Sequence, residues 1–322
     1  MNNQNSKQHL IAQIKENIST VIVGKEDILD YIMTSIVAGG HILLEDVPGT
    51  GKTVLAKSLA RSIEADFSRI QFTPDLLPSD VVGLNYFNQK AGDFIVKKGP
   101  VFGNIVLADE INRATPRTQS SLLECMEERQ VTIDGQTHNL SMPFLVIATQ
   151  NPVETVGTFP LPEAQLDRFL MKLSMGLPEK EEEIAIMERF LEDTYMVDRT
   201  RDLKPICSCS DLLAMQCEVA GIYIHKLILE YISDIIQATR NHSAIKLGVS
   251  PRGTLAMLRA AKAYAYVCGR KYVVPEDIKA LAVPIFAHRL VIAIGFGNET
   301  EKKNLVMEIV DKINVPTEEW QK

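Results

Sequence analysis

Two segments at helical spacing open the chain, residues 7–20 and 25–38, joined by Val21-Ile22-Val23-Gly24. The spacing then changes. Ile42-Leu43-Leu44 predicts a short buried strand, and Leu55, Leu59 and Ile63 predict a half-buried helix with Lys57, Ser58, Arg61 and Ser62 turned away. Phe67 to Phe72 alternates as a strand. Ile105-Val106-Leu107-Ala108 is apolar throughout, as in a parallel strand covered on both faces, and Phe144 to Ala148 repeats the pattern. A helix over 116–128, opened by Pro116, lies between them, and a short helix at Glu163–Arg168 precedes a last strand, Phe169–Leu173. Strands alternating with helices predict an α/β layer structure with a parallel sheet.

One region breaks this rhythm. Between 73 and 103, Thr73-Pro74-Asp75 and Leu77-Pro78-Ser79-Asp80 read as turns. Tyr86-Phe87 is separated from Phe94-Ile95-Val96 by Lys90-Ala91-Gly92-Asp93, which predicts an inserted hairpin. Val131 to Gln136 predicts a second hairpin around Asp134-Gly135. The first insert has no obvious part in holding the fold together, so it is a candidate contact surface.

Gly176-Leu177-Pro178 punctuates the end of the strand-bearing half and divides the chain into 1–177 and 178–322. Beyond it the pattern is helical. Acidic residues crowd the first turns of 179–192, which suits the helix dipole. Ile224, Leu227, Ile228, Tyr231, Ile232, Ile235 and Ile236 form one core stripe, and Ile278, Leu281, Ala282, Ile285 and Phe286 another. Helices are predicted at 251–267 and 300–314, with a loose tail ending Trp320-Gln321-Lys322.

Composition narrows the function classes. A net charge of −7 disfavours a protein whose main task is gripping a nucleic-acid backbone. The five cysteines are scattered and odd in number, and the polar start lacks a signal peptide's apolar core, so a reducing, cytoplasmic setting is expected. Cys207, Cys209 and Cys217 lack the second close pair that zinc-site spacing requires. The longest apolar stretch, Ala280 to Gly297, is cut by Pro284 and His288-Arg289, so no membrane insertion is expected.

The candidate chemistry gathers around Glu45-Asp46-Val47-Pro48-Gly49-Thr50-Gly51-Lys52-Thr53, between a predicted strand and a predicted helix. Strand, glycine-rich turn and helix form the context of a phosphate-binding loop. Backbone N–H groups and the positive helix end would cradle phosphate oxygens. Lys52 would reach the outer phosphates, and the Thr53 hydroxyl would meet Mg²⁺. Lys52 at a helix start is disfavoured by the macrodipole unless a polyanion is bound. Strict loops have glycine where this chain has Asp46. Val47 to Val54 are the expected nucleotide contacts, with Val23 and Gly24 on the adenine side; ordinary packing explains that apolar segment equally well. Asp109-Glu110 ends a buried strand at its carboxyl end, where α/β sheets bind ligands. Asp109 would hold the metal, and Glu110 would orient and deprotonate the attacking water. Asn151, after the next strand, either holds that water too or serves as turn chemistry before Pro152. Arg252, in Ser250-Pro251-Arg252, is a cation at a helix start. It calls for a nearby anion, either a phosphate or a carboxylate. His288 reads as structural.

Taken together these motifs have the AAA+ ATPase layout. Leu43 to Gly49, Leu107 to Ala114, Ala148 to Pro152, Leu161 to Phe169 and Val249 to Arg252 resemble the MoxR family over nearly the whole chain. Lys25, following Gly24, departs from the glutamine common in that family. The resemblance implies a P-loop αβα sandwich with a parallel five-stranded central sheet, followed by a smaller all-α lid. It implies an ATP/ADP site with Mg²⁺, Asp109 and Glu110 as the Walker B pair and Asn151 as first sensor. It makes Arg168 an arginine finger reaching a neighbouring subunit's γ-phosphate and Arg252 a second sensor, in this branch also expected to act on a neighbour. Partners implied are a homo-hexameric ring and a client protein, often one with a von Willebrand factor A domain. The two hairpins would face the pore or the client. Alternatives are a motor subunit of a metal chelatase, a nucleic-acid-dependent motor, and a scaffold that binds nucleotide without turnover.

Overall fold

The computed structural model describes residues 7–47, 49–90, 92–152, 157–192, 198–293 and 298–316. Pro48 and the tail around Trp320 therefore lie outside the described residues. The strand-bearing half runs α1 (His9–Ser19), α2 (Glu26–Val37), β1 (Ile42–Glu45), α3 (Lys52–Ser62), β2 (Phe67–Gln71), α4 (Pro78–Val82), β3 (Gly83–Asn88), β4 (Asp93–Lys98), β5 (Ile105–Asp109), α5 (Pro116–Glu128), β6 (Gln130–Ile133), β7 (Gln136–Asn139), β8 (Leu145–Gln150), α6 (Glu163–Leu166) and β9 (Met171–Leu173). Five strands form one parallel sheet in the order β2-β5-β8-β1-β9.

Side chains alternate across a strand, so each central strand feeds two cores. Ile42, Leu44, Leu107 and Ile147 pack with Leu55 and Leu59 of α3 and with α1 and α2. Leu43, Val106, Ala108, Val146 and Ala148 pack on the opposite face with Leu122, Leu123 and Met126 of α5. This double covering is why the strands read as unbroken apolar runs.

The expected polar face of α3 is wider in prospect than in fact. Ser58 and Ser62 are fully buried rather than turned outward, because α1 and the segment around Ile206 cover that side. Asn17 donates to the Ser62 hydroxyl at 2.9 Å, and the Ile206 N–H donates to the Ser62 carbonyl at 2.9 Å. Residues 78–82 form a short helix rather than a turn. Pro78 supplies the preset φ of a first helical position, and the Asp80 carboxylate accepts from the Leu77 N–H at 2.9 Å.

The remaining chain forms α7 (Lys180–Glu192), α8 (Cys209–Ala220), α9 (Lys226–Asn241), β10 (Ile245–Leu247), α10 (Pro251–Val267), α11 (Pro275–Phe286), β11 (Val291–Ile292) and α12 (Glu299–Lys312). The helical pattern did not reveal the short antiparallel pair β10–β11. This lid continues the core of α1 to α3: Met257, Ala260, Ala261, Ile278 and Leu281 join the cluster holding Ile32 and Ile36. Tyr31 stacks on Tyr264 at 6.1 Å and donates to the Ala280 carbonyl at 3.2 Å. Among the described residues, no helix is long and apolar enough to cross a membrane.

Both predicted hairpins form. β3 and β4 pair Tyr86 with Ile95 and Phe87 with Phe94. The Phe87 and Phe94 rings meet edge to face at 5.4 Å, and both remain exposed. β6 and β7 turn at Asp134 and Gly135, both at positive φ (46° and 82°), as a type I′ turn requires.

Candidate nucleotide site

The sheet brings the sequence-predicted groups together at one end. Glu45 at the end of β1 is in register with Gln150, Ala148 of β8 with Ala108, and Asp109 of β5 with Gln71 of β2. Adjacent strands lie about 4.8 Å apart. The loop after β1, Asn151 after β8 and Asp109-Glu110 at the end of β5 therefore converge at the carboxyl ends of three neighbouring strands.

The loop is built for close backbone approach. Gly49 and Gly51 have φ of 88° and 87°, and nothing lies within 4 Å of where a Cβ would stand. Lys52 begins α3 directly after Gly51. Its Nζ donates to the Asp46 and Val47 carbonyls, each at 3.0 Å, and so lies along the loop. Thr50 Oγ1 donates to the Val47 carbonyl at 3.4 Å, and Thr53 and Val54 follow Lys52 in the first turn.

Asp46 has a task that the glycine of the strict motif cannot perform. Its buried carboxylate accepts from Ser174 Oγ at 2.8 Å, the Met175 N–H at 2.7 Å and the Gly176 N–H at 3.0 Å. These three bonds fasten the root of the phosphate loop to the chain leaving β9. Glu45 beside it pairs with Lys172 at 2.9 Å, and Lys172 also reaches Glu299 at the start of α12, at 2.9 Å. An ionic chain thus runs from the loop strand into the lid.

The acidic pair is held by a network that sequence reasoning missed. Thr149 Oγ1 donates to Asp109 Oδ1 at 2.6 Å and accepts the Glu110 N–H at 2.9 Å. Glu110 itself is left-handed, at φ 56°. Arg69 pairs with Asp109 Oδ2 at 2.7 Å, Gln71 Nε2 donates to Glu110 Oε2 at 2.8 Å, and Arg113 donates to the same oxygen at 3.0 Å. Two signals were available: Thr149 sits two residues before Asn151, and Gln71 ends a strand. Asn151 is buried at the same end.

On the adenine side, Ile22 joins the core. Gly24 takes φ 66°, a conformation that favours glycine, and a Cβ there would stand 1.8 Å from Glu182 Oε1 and push that carboxylate aside. Lys25 Nζ bonds Glu182 Oε2 and the Leu177 carbonyl, each at 3.1 Å. The departure from glutamine thus serves to tie Gly24 to the start of α7, while Val23 lies half-buried beside it.

The two arginines lie elsewhere. Leu170 N–H bonds the His41 carbonyl at 2.8 Å, and Met171 is in register with Ile42, which puts Arg168 at the amino end of β1. Arg168 donates to the Leu123 carbonyl at 2.8 Å and pairs with Glu127 Oε2 at 2.9 Å. Arg252, at the start of α10, bonds the other oxygen of the same carboxylate. Ser250 caps α10, accepting from the Gly253 N–H at 3.1 Å, and donates to Asp167 at 2.9 Å. Buried Arg289 pairs with Asp167 at 2.7 Å and donates to the Phe169 carbonyl at 2.6 Å, pinning the lid to the Arg168 segment. His288 is buried beside it, and desolvation pushes its pKa well down, in keeping with a structural role.

Among the described residues, no three His, Cys, Asp or Glu side chains gather as a metal cage. Mg²⁺ keeps several waters and usually takes one or two carboxylates together with substrate phosphates. Asp109 is a carboxylate at this end of the sheet, its Oδ1 accepting from Thr149 and its Oδ2 paired with Arg69, and Thr53 stands in the first turn of α3.

Comparison with known proteins agrees with this arrangement. Residues 41–171 match the model for the ATPase family associated with various cellular activities (AAA), and residues 237–313 match an AAA lid domain. Chaperone MoxR1 of Mycobacterium tuberculosis is 38% identical over 96% of this chain and 83% of its own length. Protein MoxR of Paracoccus denitrificans is 30% identical over 91% of each. The chain belongs to the MoxR family of AAA+ ATPases. Within reach of this MoxR-family chain also stands the uncharacterized protein YeaC of Bacillus subtilis, 48% identical over 96% of each sequence. A crystal structure of a candidate ATPase from Cytophaga hutchinsonii superposes with a TM-score of 0.87 at 41% identity, over 97% of this chain and 96% of that one. The AAA match begins at His41, just before β1, and ends at Met171, the first residue of β9, so it spans the five-stranded sheet almost end to end.

Proposed function

We propose that this protein is a Mg²⁺-dependent ATPase whose site is shared between two protomers of a homo-hexameric ring, and that turnover remodels or activates a client protein. Residues 1–177 form the nucleotide-binding core and 178–322 the lid. One protomer supplies the cradle: Val47 to Val54 around the phosphates, with Lys52 on the outer ones, Val23 and Gly24 beside the base, and Asp109 with Thr53 as holders of Mg²⁺. Bound there, Mg²⁺ would neutralise charge on the phosphates. Glu110 takes a proton from water as the water oxygen attacks the γ-phosphorus and the bond to the β-γ bridging oxygen breaks, giving ADP and phosphate. Asn151 orients the same water. The neighbour supplies Arg168 and Arg252.

The observation that carries this reading is the separation of the two halves. The strands are four to six residues long where they flank the loop. At about 3.3 Å per residue, roughly 13–20 Å of sheet lies between the cradle and Arg168. Both arginines stand at the sheet's other end from their own protomer's cradle, and both side chains are part-exposed, which supports a role at a neighbour's phosphate. The client role rests on the MoxR relatives, one of them a chaperone by name, and on exposed Tyr86, Phe87 and Phe94 at the β3–β4 hairpin. A partner with a von Willebrand factor A domain is the client class the family implies, and a cytoplasmic setting accords with that role.

Mixing tests the shared site. A Glu110→Gln chain keeps its arginines, and an Arg168→Ala chain keeps its cradle, so mixed rings contain interfaces with both halves intact. Phosphate release from the mixture should exceed that of either variant alone. A mixture no faster than its components would sink the shared site.

A further inference from the structure

Arg168 and Arg252 line a cavity of about 220 Å³ at the amino end of the sheet, and they are not its only cations. Arg129, Arg259 and Arg289 line it as well, giving five guanidinium groups against two carboxylates, Glu127 and Asp167. Both carboxylates are already engaged twice. Glu127 bridges Arg168 and Arg252, and Asp167 holds Arg289 and the Ser250 hydroxyl. Arg129 is satisfied by the Gly39 carbonyl at 2.6 Å.

Arg259 differs from the other four. It is exposed and has no hydrogen bond or ion pair among the described residues. Its charge is felt by its neighbours. Desolvation and then Arg259 lower the pKa of Arg129, and Arg259 adds to the depression of Arg289, which burial brings to about 10 although Asp167 opposes it. Arg252, Ala256 and Arg259 fall at i, i+4 and i+7 on α10, so they share one helix face. Ala256 between them is small and leaves the space open. The two arginines stand about 10 Å apart along the axis, a span that guanidinium side chains can close. A cation left without a counter-charge in such company is unfavourable until an anion arrives.

We propose that Arg259 is a third guanidinium of the shared site, meeting phosphate oxygens of the nucleotide bound by the neighbouring protomer alongside Arg168 and Arg252. The inference rests on the shared-site reading above. Guanidinium groups match phosphate geometry, and the excess of three positive charges in the cavity matches a polyanion better than a single carboxylate. As the phosphate enters, it competes with Glu127 for Arg168 and Arg252 and gives Arg259 its missing partner.

The test uses the full chain and ATP. Arg259→Ala should lower turnover about 10²-fold, the usual loss for one preorganised donor to a transition-state oxyanion, while nucleotide affinity at its own cradle stays unchanged. Arg259→Lys should retain most of the rate. Mixed with Glu110→Gln, Arg259→Ala should regain activity, because that chain's cradle is intact. Mixed with Arg168→Ala it should not, because both lesions then sit in the same half. Recovery with Arg168→Ala, no recovery with either, or wild-type turnover by Arg259→Ala alone overturns the assignment. Arg168→Ala mixed with Glu110→Gln is the control: its failure removes the shared site, and Arg259's role with it, whereas its success alongside failure of the Arg259 mixture removes only Arg259. Should Arg259→Ala fold poorly by circular dichroism, Arg259→Gln keeps the stem and carries the same comparison.

Discussion

The two ends of the central sheet balance their charges differently. At the carboxyl end, Asp109 and Glu110 are matched one for one by Arg69 and Arg113, beside a glycine loop whose lysine bonds, among the described residues, only backbone carbonyls of that loop. At the amino end, five arginines share two carboxylates. The strands between them keep these charges roughly 13 Å or more apart, beyond the ~8 Å over which exposed charges act at physiological salt. Within one protomer the two ends are therefore nearly independent. In the proposed ring they would become one site where the cationic end of one protomer meets the carboxyl end of the next.

The most forceful way to break this contrast is at the arginine end. Arg168→Ala should cut phosphate release by about 10³–10⁵, the contribution of an arginine finger supplied in trans, and should leave the nucleotide titration unchanged. Matching losses in rate and affinity would instead place Arg168 in the cradle. Glu110→Gln attacks the other end, with a loss of about 10²–10⁴ as the general base is removed. Because the glutamine still accepts from Gln71 or Arg113, that variant should hold ATP and stall, which a filter-retention assay with labelled ATP would show.

Asp46→Ala sharpens the picture at the level of stability. It strands two backbone N–H groups and a hydroxyl now bonded to a buried carboxylate. A loss of about 2–4 kcal/mol in urea unfolding is expected; an unchanged midpoint would show that the loop root holds without it.

The smallest effect concerns His41, at the amino end of β1. Burial, with help from Arg129, depresses its pKa to about 3, and its ring bonds the Met126 carbonyl and the Val146 N–H, each at 3.0 Å. The unfolded chain takes up this proton near pH 6.5, the folded chain only near 3. The stability that neutral His41 contributes is thus complete above about pH 6.5 and lost as pH falls toward 3. Between pH 7 and pH 5, His41→Asn should lose about 1–2 kcal/mol less than the unaltered protein. Parallel stability curves for the two proteins would contradict that assignment.

Much of this was legible in the residues themselves. The apolar runs at 42–44, 105–108 and 144–148 marked buried parallel strands. Gly49-Thr50-Gly51-Lys52-Thr53, Asp109-Glu110 and Asn151 were recognisable because each follows such a strand directly. Ser58 and Ser62 were misjudged, because a serine hydroxyl carries no sign of whether another helix will cover it; that of Ser62 donates back to the Ser58 carbonyl. Asp46 looked like a defect in the loop until its three partners, more than 120 residues away, were in view. Arg259 gave no signal, since an arginine on an amphipathic helix is ordinary until its neighbours are known.

Local order along the chain thus determined the elements, the sheet's buried character and the cradle, because periodicity and turn chemistry act within a few residues. Only the tertiary structure decided that Arg168, Arg252 and Arg259 share a cavity across the sheet from Lys52, and that Glu127 joins two of them. Those relations depend on how α5, α10 and the segment before β9 pack. Packing fixes distances between residues whose separation in sequence says nothing about their separation in space.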